Sequence, residues 1–506
     1  MSSRVPVPSR LSRSARSPRL RLTALLTAAA AFGAVGSASA DTGGFGPLPP
    51  QNPATAANGV ATMHGDSASS DTTPYAGPGT GAVSSSRTAL ASACPTVVIG
   101  SDGYPVTLCT TIFGETPTVH LLDPHSGDDL ASLSVAKGNL FGGVYSYLDN
   151  DNDLVLVDGD DDLLRVGHHL QSNGNWELTV DQSLSLASVI PSGDSVVGLS
   201  PGWDGKVWFA TQDGVVGTAD TATGVVRALD LPAGEQVDNS ISTVPGYTAV
   251  ATDHALYLLT EGPDGTPQID WRAAYDRGPG RKPGQLSWGT GATPSFFGPG
   301  NGTEYVTITD NAAPHENLLV YTTAGVPAPA GSATPSAPAQ VCATPVLTQY
   351  PESGTEDAMI ASGDSVFVTD TYGYPYPALP SGAPASVPSS ASFDGGMTRV
   401  DLNPAGNGCS VVWNSDVASA ALPRLSLGDD RIYTVTASGP MGLAGSDTFA
   451  AYHYAVVDPA TGALESSSLL GIGLLDNPLQ MTGTTGPDGT LYQGTETGVL
   501  AIRPSS

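Results

Sequence analysis

Two acidic side chains stand side by side at Glu356–Asp357, just ahead of a run that reads as a strand. Paired carboxylates in a low-dielectric setting titrate apart, which is what acid and base roles require. Arg424 or Lys282 could then stabilise developing negative charge, and the set would serve an extracellular hydrolase or lyase. A second grouping is basic. Arg272, Arg277, Arg281 and Lys282 fall within 11 positions of a strongly acidic chain. With Asp310 and Asn477 as further ligand-binding candidates, Arg281 and Lys282 could hold an anionic ligand, or could simply pair with nearby carboxylates.

Other patterns carry less chemistry. Asp149, Asp151 and Asp153 alternate as the oxygen ligands of a Ca²⁺ loop do. Leu154 and Asp160 then stand where an EF-hand needs its Gly and its bidentate Glu. The segment reads better as a solvated turn, with Ca²⁺ a weak candidate. Gly198-Leu199-Ser200-Pro201-Gly202 matches the nucleophile elbow literally, but Pro201 has no N–H to offer an oxyanion. His168 and His169 are adjacent, so on a strand they face opposite sides and cannot share one metal. His315-Glu316 reads as an exposed loop.

The elements that must position these groups are β-strands. From about residue 93 onward, short strands are separated by turn residues every 8–12 positions, and no amphipathic helix stands out. One turn type recurs at Gly202–Lys206, Gly363-Asp364, Gly428–Asp430 and Gly486–Gly489. A second recurs at Asp123–Gly127, Asp220–Gly224 and Asp458–Gly462. There the aspartate bonds its own downstream backbone and the glycine takes positive φ. Staggered turns in units of 40–55 residues describe four-stranded blades. Eight units begin near 95, 139, 195, 239, 289, 356, 422 and 476, with seven as the alternative count. The fold expected is all-β, a single propeller over 93–506. Its last unit would be closed by Pro95–Ile99, and the segments 325–340 and 377–392 would be surface loops. Inner strands are expected to begin near Asp238-Asn239, Thr290-Gly291-Ala292-Thr293, Glu356-Asp357, Arg424 and Asp476-Asn477, each polar just before an apolar run.

Six arginines precede an apolar stretch from Leu22 to Val35, and Ala38-Ser39-Ala40 supplies a cleavage site, so residues 1–40 read as an export signal. The stretch is too short to span a bilayer comfortably, and no membrane anchor is expected. Cleavage would remove those six from 19 basic residues, leaving 13 against 48 acidic ones and a net charge of −35. That balance excludes a nucleic-acid partner, which needs a basic footprint. In residues 41–92, 37 of 52 are Gly, Ala, Ser, Thr or Pro, which predicts a disordered linker. Cys94, Cys109, Cys342 and Cys409 suit an oxidising compartment, and the favoured pairing is Cys94–Cys109 with Cys342–Cys409.

The Asp-x-x-Thr-Gly turn, with Trp271 or Trp413 ending an outer strand, resembles the repeats of the PQQ-like, quinoprotein-type propellers. Lys282-Pro283-Gly284-Gln285, Thr309-Asp310-Asn311 and Gly354-Thr355-Glu356-Asp357 also resemble segments of secreted bacterial propellers. The resemblance covers most of residues 95–503 and implies the fold, while propellers host many unrelated activities. Bound PQQ is not expected, because neither an adjacent Cys–Cys pair nor the basic cofactor contacts of quinoproteins are found. The reading is a secreted, monomeric propeller that binds an extracellular ligand or protein without catalysis. The hydrolase or lyase and a PQQ-dependent oxidoreductase are its alternatives.

Overall fold

The computed structural model describes residues 44–58, 60–138, 144–327, 336–380, 382–441 and 449–505; the export signal expected at 1–40 lies outside them. The described residues form eight sheets, each built on four antiparallel strands and arranged as the blades of a propeller, with a fifth short strand added to the seventh. Blade 1 runs outward from Ser92–Ile99 to Asp129–Ser134, blade 2 from Tyr147–Leu148 to Trp176–Ser185, and blade 3 from Val196–Pro201 to Val225–Asp230. Blade 4 runs from Ser242–Val244 to Pro267–Ala274, blade 5 from Ser295–Phe297 to Ala337–Pro345, and blade 6 from Ile360–Ser362 to Cys409–Ser415. Blade 7 runs from Arg424–Ser426 to Leu464–Ile472 and blade 8 from Gly483–Thr485 to Val83–Ala89.

Burial explains the order within a blade. Middle strands such as Leu154–Val157 and Val207–Thr211 are buried throughout, as strands packed on both faces must be. Outer strands such as Trp176–Ser185 are mostly exposed or half-buried. The recurrent turn behaves as its residues require. Asp123 Oδ1 accepts the N–H groups of His125 and Ser126 at 2.8 Å, and Gly127 takes φ 78°. Asp220 with Gly224 and Asp458 with Gly462 repeat the arrangement. Both expected disulfides form. Cys94–Cys109 ties the first two strands of blade 1, and Cys342–Cys409 joins the outer strands of blades 5 and 6.

The segment 41–92 departs most from expectation. From Gly44 onward it belongs to the propeller, and residues 52–73 lie along the axis, where most of them are buried. They bond to the innermost strands of seven of the eight blades. The N–H groups of Ile99, Leu148, Thr243, Phe296, Ala361 and Leu425 donate to the carbonyls of Val60, Ala61, Ser67, Ala68, Ser70 and Asp71 at 2.7–3.1 Å. For blade 3, Asn52 Nδ2 donates to the carbonyl of Pro201 at 3.0 Å. Thr72-Thr73 runs parallel to Leu425-Ser426 as a short added strand. Small residues fit where inner strands crowd together, and these backbone bonds offset the entropy that the composition alone could not.

Ring closure also differs. The strand that completes blade 8 is Val83–Ala89, paired antiparallel to Gly498–Pro504, while Pro95–Ile99 belongs to the innermost strand of blade 1. The polar, half-exposed Val83–Ala89 suits an outer edge, whereas Thr96–Ile99 is fully buried. In blade 5 the strands Asn317–Val326 and Ala337–Pro345 extend into the segment read as a loop at 325–340. The loop at 377–392 sits on the surface of blade 6, between Ser365–Thr369 and Met397–Leu402.

Candidate functional site

The candidate groups fall into three places. At the axis, Arg424 is 1% exposed and serves the N-terminal segment. Its Nη2 donates to the carbonyl of Met63 and, at 3.1 Å, to Thr482 Oγ1, and it lies 3.6 Å from Asp71 Oδ1. Asp71 Oδ2 in turn is 2.9 Å from His64 Nδ1. Arg424 is therefore committed to holding the chain inside its own channel.

Beside the axis, the segments around Lys282, Asn311 and Thr355 converge on Glu316, which is fully buried rather than exposed. Lys282 Nζ donates to the carbonyls of Ala312 and Ser353 at 2.7 Å and lies 3.4 Å from Glu316 Oε1. Gln285 Nε2 bridges Asn311 Oδ1 at 3.1 Å and Glu316 Oε1 at 3.2 Å. Burial pushes the Glu316 carboxyl up to about 7 against the opposing pull of Lys282. Asp310 accepts from the N–H groups of Asn317 and Ala312 and from Asn317 Nδ2. Asn477 accepts from Tyr374 and from the N–H of Leu479.

The rest of the basic cluster is paired as well. Arg272 meets Glu235 and Tyr257 at 2.7 Å. Arg277 pairs with Asp253 at 2.5 Å and stacks over Trp288 at 4.2 Å. Arg281 donates to the carbonyls of Pro384 and Gln285 at 2.5 Å.

Glu356 and Asp357 turn to different partners. Glu356 Oε1 accepts from the Ser287 N–H and Oγ at 3.1 Å, and Asp357 Oδ2 accepts from Thr369 Oγ1 at 2.9 Å. Burial raises both carboxyls above the usual carboxylate range, Asp357 up to about 8, and the nearby Asp238 raises Glu356 further. Two cavities near the axis are small, about 20 Å³ beside His64 and Tyr145 and about 10 Å³ beside Asp238 and Thr290. Ser200, in the literal elbow motif, lies on the inner strand of blade 3 and bonds Thr243 Oγ1 at 3.2 Å.

The third place is open to solvent. A recess of about 430 Å³ between blades 1 and 2 is lined by Asp102, Asp151, Asp153, His168, His169, Leu170 and Trp176. His168 Nε2 lies 2.6 Å from Asp102, and His169 Nε2 lies 2.7 Å from Asp181. The Trp176 ring packs 4.8 Å from Tyr104 and 5.6 Å from His168. The two histidines take different partners, Asp102 and Asp181, yet both line the recess. Asp149 is not free to join: Oδ1 accepts the N–H groups of Asp151 and Asp153, and Oδ2 pairs with Arg165. Among the described residues, no three His, Cys, Asp or Glu side chains are grouped to hold a metal ion. Sequence reading passed over Trp176 and Asp102, whose only local signal is a turn residue beside each.

No family model matches the chain. An uncharacterised protein of Archaeoglobus fulgidus is 34% identical over 125 residues, which are 24% of each chain, so the match spans about a quarter of that relative's length. Among solved structures, BamB from Moraxella catarrhalis aligns over 69% of this chain and 93% of its own at 11% identity, with a TM-score of 0.38. The quinohemoprotein alcohol dehydrogenase of Comamonas testosteroni aligns over 90% and 82%, also at 11% identity, with a TM-score of 0.48. The description of this fold rests on its own strand pairing.

Proposed function

We propose that the chain is a secreted propeller that binds an extracellular ligand or protein and does not turn it over. One observation carries this: residues 52–73 occupy the axis, where a channel substrate would have to sit. Arg424 is engaged with that segment, Glu356 and Asp357 are buried, and the two cavities near the axis are of one-water size. The same crowding weighs against a quinone, although the repeated turns still support a place near the quinoprotein-type propellers. Two disulfides support an oxidising compartment, and no helix among the described residues is long and apolar enough to cross a membrane.

The blade 1–2 recess is the surface best suited to recognition. Its volume lies in the range of small-ligand sites, and an indole beside three carboxylates suits a cationic group on the ligand. The test is binding of an arginine- and lysine-containing peptide panel to the secreted protein, together with a hydrolase and lyase screen. Binding that weakens with salt, and about tenfold with Trp176→Ala, is the expected result. Turnover that Glu356→Gln and Asp357→Asn abolish in a folded protein would defeat the reading.

A further inference from the structure

The connectors leading into blades 4, 5 and 6 meet beside the axis around the cavity of about 10 Å³, room for one water or one bare ion. Asp238 and Asn239 come from the first connector, Ser287, Thr290 and Gly291 from the second, and Asp253 and Thr252 close the far wall. Glu356, from the third, reaches the same wall through its bonds to Ser287. Its carboxylate lies so close to Gly291 that an added Cβ there would stand 2.1 Å from Oε2. Glycine, at φ 60°, leaves that space to the carboxylate.

Two polar atoms here have no hydrogen-bond partner among the described residues: Glu356 Oε2 and Thr290 Oγ1, on residues only 8% and 3% exposed. Buried polar atoms are paired as a rule, so each orphan marks a missing partner. The charges are unbalanced too. Asp253 is answered by Arg277 and His254, and Arg281 directs donors to the carbonyls of Pro384 and Gln285. Among the described residues Asp238 and Glu356 form no ion pair, although Arg281 lies near enough for its charge to act on Glu356.

We propose that this cavity is a buried site for one calcium ion, with Asp238 and Glu356 as its charged ligands and Thr290, Ser287 and Asn239 as neutral oxygen donors. Two carboxylates balance a divalent ion, and hard oxygen donors select calcium or magnesium over softer metals. Magnesium keeps several of its waters, for which the cavity has no room. Bound there, the ion joins the connectors into three consecutive blades. The site is separate from the blade 1–2 recess and does not depend on the binding reading.

The full secreted chain is purified in calcium, passed through EGTA, and its metal content measured by native mass spectrometry and elemental analysis. One calcium per chain is expected, with Tm falling by several degrees when the protein is refolded in EGTA. Asp238→Asn and Glu356→Gln should each lose the ion, while Asp151→Asn with Asp153→Asn on the surface should keep it. Thr290→Val serves as a milder variant should either fail to fold, and should weaken calcium retention at least tenfold. A wild-type chain with no retained calcium and an unmoved Tm, meaning that water alone fills the cavity, overturns the proposal. So does calcium that survives Asp238→Asn and Thr290→Val but is lost from the surface variant.

Discussion

The guanidinium of Arg424 donates to the carbonyl oxygen of Met63, 361 residues earlier in the chain. Through this contact the first strand of blade 7 grips the segment that fills the axis. A fully buried arginine cannot be removed cheaply, because the Met63 carbonyl, Thr482 Oγ1 and Asp71 are then left without their buried donor. Arg424→Ala should cost about 3–5 kcal/mol in urea unfolding. A loss below about 1 kcal/mol would show that the axial segment is held by its backbone bonds alone.

A chain beginning at Ser92 lacks both the axial segment and the strand that completes blade 8. It should be expanded, with fast hydrogen exchange in the inner strands of blades 4 to 7, whereas a chain beginning at Asp41 should match the full-length protein. Small-angle scattering with hydrogen exchange distinguishes the outcomes. A compact, protected chain from Ser92 would mean that the ring closes without its axial filling.

Burial raises Glu316 to about 7 and Asp66, in the axial segment, to about 6. Unfolded carboxylates titrate near 4, so the folded protein holds these protons more tightly. The stability they contribute is full below that value and is lost as pH rises through 4 to 7. The urea midpoint should therefore fall between pH 5 and pH 8. Glu316→Gln, which keeps a neutral group beside Lys282, should remove about 3 kcal/mol of that fall. An unchanged slope in this variant would place the pH dependence elsewhere.

The Cys342–Cys409 bridge closes a longer stretch of chain, 67 residues, than Cys94–Cys109, which spans 15. In the chain-entropy picture, removing them costs about 4 and about 3 kcal/mol respectively. Cys342→Ser with Cys409→Ser should lower the unfolding midpoint more than the other double variant does. The reverse order would point to strain relief in the longer loop.

Local pattern carried the architecture a long way. Asp123, Asp220 and Asp458 each bond their own turn, so nothing distant is needed to read them, and the recurring turns place the eight inner strands to within about eight residues. The axial segment is another matter. Its small polar residues bury little apolar surface and are ordered by strands that follow up to about 350 positions later, a partnership that no local window contains. The same holds at Glu316, whose neighbours Lys282, Gln285 and Thr355 are distinct motifs in sequence and one network in space. At the recess, alternation separates His168 from His169 correctly, yet Asp102 comes from the neighbouring blade and only the packed ring brings it there.

The residues at the axis leave the ribosome before any strand that will hold them. Thr72 pairs with Leu425, and Val83 with Pro504, more than 400 positions later. Ring closure therefore waits for Gly498–Pro504 to pair with Val83–Ala89. So non-local a closure makes for slow folding. It also gives the protein a built-in test of completeness, since a chain cut short at its C-terminus has nothing to pair with Val83–Ala89.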